Sequence, residues 1–268
     1  MDCDSLCDFT SNYACSALPV VKALERDVLG CDYGGTSWTT SEQAAHIMAS
    51  LALDSGSRLL EVGSGSGWPG LYLSAETGCD VTLLDMPLLA LEQAQERAAR
   101  DDMLGQVSVV NGNGTSLPFA DASFDRLSHS DVLCCLQEKL EMLQECRRVA
   151  TTDARMHFSV IEPATGLSSA DYERVVDAGP PFVDLPEAYN EMLQKAGWTL
   201  IERVDITQAY GVTLQNEVAA LKQHAEALLG AYSADELRDM TAHRENGMNL
   251  AKANMLQRFV YIVNESDR

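Results

Sequence analysis

The chain is 268 residues long, with 46% hydrophobic and 22% charged residues. That composition supports one sizeable core and excludes collagen-like, coiled-coil and disordered classes. Lys and Arg number 19 against 40 Asp and Glu, a formal net charge of −21, which repels nucleic-acid phosphates and anionic membrane surfaces.

The densest basic clusters, Arg97 with Arg100 and Arg147 with Arg148, are too small to reverse that field. No apolar run reaches bilayer length, and Met1-Asp2-Cys3-Asp4 lacks the basic start of a secretory signal, so a soluble, cytoplasmic protein is expected. The eight cysteines are scattered, as in reduced proteins rather than disulfide frameworks. Cys3-x3-Cys7 finds no CxxC or HxxxH partner, so no metal site is expected.

An N-terminal cap spans 1–53, helical from 13 in two pieces that the glycine-bearing segment 32–38 interrupts. Thr40 or Ser41, followed by Glu42 and Gln43, caps the second piece. The pattern then becomes strand 58–62, helix 71–77, strand 80–85, helix 88–100, strand 107–110, strand 124–129, helix 139–149 and strand 156–161. An irregular stretch follows, with Pro163, Pro180, Pro181 and Pro186, then helix 187–196 and strand 200–206. Helices over 213–229 and 234–257 precede a last strand, 259–263. Strands alternating with helices predict an α/β fold, a mostly parallel sheet wrapped on both faces, with a helical insertion before the last strand.

Glu61-Val62-Gly63-Ser64-Gly65-Ser66-Gly67 closes the first strand. Alternate glycines let the backbone turn sharply and approach a ligand, and the next helix offers free N–H groups. Gly65-x-Gly67-x-x-Gly70 also matches a dinucleotide fingerprint, so a nicotinamide oxidoreductase stays an alternative on glycines alone. Glu61 at the strand tip can hold a cationic ligand group. Asp85 ends the second strand, placed to accept from two ribose hydroxyls, with Met86 as a soft bed for a purine.

With the segment Leu117-Pro118-Phe119-Ala120-Asp121-Ala122-Ser123-Phe124-Asp125 and Glu145-Cys146-Arg147-Arg148-Val149, these residues resemble the class I S-adenosylmethionine-dependent methyltransferases, bacterial small-molecule branch. The resemblance spans about 33–207, with 259–263 as the seventh strand. It implies a Rossmann-like seven-stranded sheet in the order 3-2-1-4-5-7-6, a cofactor-binding core over 54–207, an insertion or lid over 208–257 and a last strand over 258–264. It also implies S-adenosylmethionine as cofactor, S-adenosylhomocysteine as product and a small-molecule methyl acceptor.

Carried over by position, Gly63, Ser64, Gly65 and Gly67 would lie against the methionine moiety, Glu61 near its amino end and Asp85 on the ribose. Gly112, Asn113 and Gly114 would border the adenine, where Asn113 replaces the family's usual acid; the same residues also suit simple Asn-Gly turns. Ser128 would complete the cofactor site, with Tyr33 and Trp38 covering it from the N-terminal loop. Thr152-Asp153-Ala154 stands where the family has paired glycines.

Methyl transfer from a sulfonium needs alignment, and needs a base only when the acceptor must lose a proton. His129, at the end of the fourth strand, is the candidate base; Asp131 and Glu162 are weaker candidates for binding or polarising substrate. His157, alternating with Phe158, is read as structural, and His224 and His243 lie in the insertion. The expected reaction is transfer to O or N, with S as a further option, of a small organic molecule. An arsenite or thiol methyltransferase is the alternative if Cys31, Cys134 and Cys135 converge.

Overall fold

Alternating burial along the apolar runs builds one seven-stranded sheet, seen in a computed structural model that describes residues 9–33, 37–103 and 107–265. The strands are β1 (Arg58–Val62), β2 (Asp80–Asp85), β3 (Val107–Asn111), β4 (Phe124–Ser130), β5 (Ala150–Pro163), β6 (Trp198–Asp205) and β7 (Leu256–Glu265). Their order is β3-β2-β1-β4-β5-β7-β6, as the resemblance implies, with β7 antiparallel to both neighbours.

Strand parity divides the core. Leu59, Val81 and Leu83 face one layer, with Ile47 and Leu51 of α3 (Ser41–Leu51). Leu60, Val62, Leu84, Leu127 and Phe158 face the other, against Met142 and Leu143 of α6 (Lys139–Val149). Leu71 and Leu73 of α4 (Gly70–Thr77) and Ala94 of α5 (Leu88–Arg100) join the α3 layer.

Among the described residues three helices, not two pieces, precede β1: α1 (Phe9–Ser16), α2 (Pro19–Leu29) and α3. Pro19 has no N–H and so begins a helix rather than continuing one, and α2 stops at Gly30 in the left-handed region, φ +78°. Thr40 and Gln43 form a capping box on α3. Within the stretch expected to be irregular, α7 (Ser169–Ala178) forms because the Ser168 hydroxyl accepts from the Asp171 N–H.

After α8 (Tyr189–Ala196) and β6, the chain enters α9 (Thr207–Gln223), α10 (Ala225–Leu228) and α11 (Ala234–Lys252) before β7. α9 starts earlier than the pattern suggests because Asp205 accepts from the Thr207 N–H. A third apolar cluster joins Leu221, Leu228 and Leu237 of this insertion to Val20, Val21 and Leu24 of α2, so the two helical segments share one core. No helix among the described residues is long and apolar enough to cross a membrane.

Candidate active site

The glycine turn leaves β1 through Gly63, Gly65 and Gly67, with φ of +71°, +52° and +98°. A side chain on Gly63 would strike Val132, and one on Gly65 would fall 2.6 Å from the Tyr13 hydroxyl. Gly67 turns instead toward Leu71, whose Cδ1 lies 2.5 Å from where a Cβ would be, so it serves packing under the helix. Gly63, Ser64, Gly65 and Ser66 line a crevice of about 50 Å³ with Tyr13 and Ser37. The buried Ser64 hydroxyl has no hydrogen-bond partner among the described residues.

Tyr13 has no local sequence signal, yet α1 lays it over the turn. Gln93 of α5 donates to its carbonyl at 2.8 Å and accepts from Ser16, which fastens α1 in place.

Glu61 takes a different position from the one expected. Its carboxylate is buried and accepts the Gly70 N–H at 2.8 Å, bracing the first turn of α4 from below. Burial pushes its pKa up to about 8 against the pull of that hydrogen bond. A Cβ on Gly70 would overlap the same carboxylate. Gly70 thus lets α4 pack closely on β1 and β2.

Asp85 ends β2 and accepts from the N–H of Gly65 and of Met86, both at 2.7 Å. Burial raises its pKa and those two bonds oppose the rise. Asn111, the first residue of the paired Asn-Gly run, donates to the carbonyls of Asp85 and Met86 and fixes the strand end. Met86 is exposed beside it. Asn113 is exposed and its Oδ1 accepts from Thr115 at 3.0 Å, the Asx turn that was the simpler expectation. Gly112 and Gly114 pack closely on Leu84 and Val62. Ser128 is buried with its hydroxyl unpartnered among the described residues.

Next to the crevice lies a cavity of about 550 Å³ between α3, α9 and the ends of β4 to β7. Ser130 lines both spaces. Pairing of Ser128 with His157 and of Ser130 with Ser159 sets one face of β4 and β5 toward α3, and His157 and Ser159 line the cavity with Ser130. His46 of α3 joins them, its ring edge-on to His157 at 5.6 Å. Ser50 holds His157 Nδ1 at 2.8 Å. His157, expected to be structural, and His46, which carries no sequence signal, are therefore the cavity's imidazoles.

The candidate base His129 points the other way. Its neighbours Ser128 and Ser130 take the cavity-side parity, so its ring stacks on Phe158 at 4.7 Å in the α6 layer. Both ring nitrogens are buried without partners among the described residues, and burial drives the pKa down to about 3. Glu162 is likewise remote from the cavity lining: Arg203 donates to it at 2.6 Å and Tyr261 at 3.4 Å. Asp131, with φ +55°, is held by Arg258.

Tyr33 packs on Trp68 at 5.0 Å under the Arg97 guanidinium, and its carbonyl accepts from Ser66 of the glycine turn. Trp38 is wedged between Tyr210 and Arg244 of the insertion. The three cysteines do not converge: Cys31 lies near Glu25 and Arg97, whereas Cys134 and Cys135 are in mutual contact on a short 3-10 turn, with Cys134 buried in the core. Cys3 and Cys7 lie outside the described residues, among which no group of three metal-ligating side chains forms.

Residues 60–158 match the family model described as a methyltransferase domain. A 27-O-demethylrifamycin SV methyltransferase of Amycolatopsis mediterranei is 26% identical over 174 residues, covering 63% of this chain and 64% of that one. The chain spans about three fifths of the length of the first curated relatives it matches, between 58% and 64%. Among solved structures, a cyclopropane synthase of Mycobacterium tuberculosis superposes with TM-score 0.78 at 16% identity over 97% of this chain and 98% of its own. Phosphoethanolamine N-methyltransferase 2 of Haemonchus contortus, in complex with S-adenosyl-L-methionine, gives TM-score 0.77 at 15% identity over 96% and 60%.

Sheet order, glycine turn and strand-end acid define a Rossmann-like methyltransferase fold. The methyltransferase-domain match over residues 60–158 agrees with that fold, and this part of the chain is similar to the class I S-adenosylmethionine-dependent methyltransferases.

Proposed function

We propose that the protein transfers a methyl group from S-adenosylmethionine to an oxygen or nitrogen atom of a small organic molecule held in the 550 Å³ cavity. The observation that carries this reading is Ser130, which borders both the glycine-turn crevice and the cavity, so a donor on one side and an acceptor on the other would meet there. The residues suit the cofactor. The unpartnered Ser64 hydroxyl and the two left-handed glycines leave polar groups and bare backbone facing the crevice. Each Asp85 oxygen makes one hydrogen bond and keeps a lone pair for a ribose hydroxyl.

When bound, S-adenosylmethionine supplies an activated methyl carbon: the acceptor's lone pair forms the new bond to carbon, and the carbon–sulfur pair leaves with sulfur. Gly63, Ser64 and Gly65 flank the methionine moiety, Asp85 holds the ribose, and Met86 with Gly112 and Gly114 borders the purine. Tyr13 and Tyr33 close the crevice from the N-terminal cap, 1–53, while the insertion, 208–257, roofs the acceptor. A proton lost from a hydroxyl acceptor passes to His46, the imidazole of α3 in the cavity lining, rather than to His129.

Calorimetric titration with S-adenosylmethionine and, in parallel, NADH tests the reading. Micromolar binding of the sulfonium alone is expected; binding of NADH alone would overturn it.

A further inference from the structure

We infer that the cavity beside Ser130 takes an uncharged, hydroxyl-bearing molecule with a largely apolar skeleton, an inference that rests on reading this cavity as the acceptor site. Among the described residues the lining carries two formally charged side chains besides its imidazoles, Arg258 and Glu42. Arg258 is the group that an anionic acceptor would need, and it is fully engaged. A guanidinium has five N–H donors. Nε donates to Asp131 Oδ1 at 3.0 Å, and Nη2 to Asp131 Oδ2 at 2.7 Å and to Ser159 at 3.2 Å. Nη1 donates to the Trp38 carbonyl at 3.1 Å and to Gln43 at 3.2 Å. No donor is left over, and Asp131 neutralises the charge. A phosphate or carboxylate entering this space would have to shed its water without gaining a counter-ion.

A cationic acceptor fares no better. Glu42 is the one carboxylate among the described lining residues, and it sits exposed in the first turn of α3. Among the described residues no Phe, Tyr or Trp lines the space, so none of them offers an aromatic face to an ammonium. The walls are instead Val28, Ile47, Val204, Ile206, Val212 and Val260.

What polarity remains is neutral. Burial, with His46 and Arg258 adding, drives the pKa of His157 down to about 3, so its ring is uncharged. Its Nδ1 is taken by Ser50, which leaves Nε2 for a hydroxyl of the occupant. A volume of about 550 Å³ suits a molecule of drug-like size. The solved relative from Haemonchus contortus is named for a phosphorylated amine, and the charge pattern here separates this cavity from that chemistry.

Three probes of one skeleton and different charge test this by ligand-observed saturation-transfer NMR on the full chain: 2-naphthol, 2-naphthoate and 2-naphthylmethylammonium. The expected result is 2-naphthol binding at least tenfold more tightly than either ion. Val212→Trp, on an exposed part of the cavity wall, should weaken it at least fivefold. Ion binding equal to that of 2-naphthol, binding of none of the three, or binding indifferent to Val212→Trp would each overturn the inference. Failure of the transferase reading is seen separately, as absent S-adenosylmethionine binding in a protein that still takes 2-naphthol.

Discussion

Arg258 of β7 grips Asp131, just beyond β4, through two parallel bonds, Nε to Oδ1 at 3.0 Å and Nη2 to Oδ2 at 2.7 Å. The two are separated by 127 positions, and their side chains are 1% and 10% exposed. Because Arg258 also holds the Trp38 carbonyl and Gln43 of the α3 capping box, one buried ion pair fastens the N-terminal cap to the centre of the sheet.

Breaking a buried pair strands a charge, which costs about 3–5 kcal/mol, whereas replacing both members with apolar residues can recover much of it. Arg258→Met is therefore expected to lower stability by that order, and the double change Arg258→Met with Asp131→Leu to lower it less. Urea denaturation of the wild type and the two variants measures this; a double change as damaging as the single one would show that Arg258 acts through its cap contacts and not through Asp131.

Glu61 makes stability depend on pH. Burial raises its pKa from 4.5 to about 8, so the folded protein keeps a proton that the unfolded chain releases across that interval. Its stabilising contribution is full below pH 4.5 and falls as pH rises to about 8. Glu61→Gln should flatten this decline, read from denaturation midpoints at a series of pH values. Gly70→Ala, whose Cβ would overlap the Glu61 carboxylate, should cost about 1–3 kcal/mol by overpacking, measured the same way.

For the cofactor side, Asp85 and Asn113 make contrasting predictions. Asp85 holds the Gly65 and Met86 N–H groups and so shapes the crevice as well as facing the ribose position. Asp85→Ala should raise the dissociation constant of S-adenosylmethionine at least tenfold. Asn113 is exposed and occupied by its own turn, so Asn113→Ala should change it less than threefold. Calorimetry on both variants separates the roles, and equal effects would return Asn113 to the adenine site.

The strands were legible because each is a short apolar run with a clear turn after it, their order came from the family resemblance, and the Glu61 to Gly67 spacing is local. What depends on distant partners was not. Arg258 sits inside an apolar strand and gains meaning only from Asp131, Trp38 and Gln43, far away in the chain. His46 and Tyr13 lie on helices whose docking no local pattern announces. His129 was readable to within one residue: its strand-end position is right, but period-two alternation gives the cavity to Ser130 and sends the imidazole to the opposite face. The signal lay in the pairing of Ser128 and Ser130 with His157 and Ser159, which needs the register between β4 and β5.

His129 thus becomes a stability residue with a defined pH signature. Its two nitrogens are buried without partners among the described residues, and its pKa falls from 6.5 to about 3. The unfolded chain therefore binds a proton that the folded one refuses across this interval. Stability from the neutral ring is full above pH 6.5 and is lost as pH falls toward 3. His129→Phe keeps the stack on Phe158, removes two unsatisfied polar atoms and abolishes the titration. It should leave neutral-pH stability equal or higher, make the acid limb of the stability curve shallower, and spare S-adenosylmethionine affinity. Denaturation from pH 7 to pH 4, with calorimetry at pH 7, gives all three readouts; a loss of turnover at unchanged fold and affinity would instead restore His129 as the base.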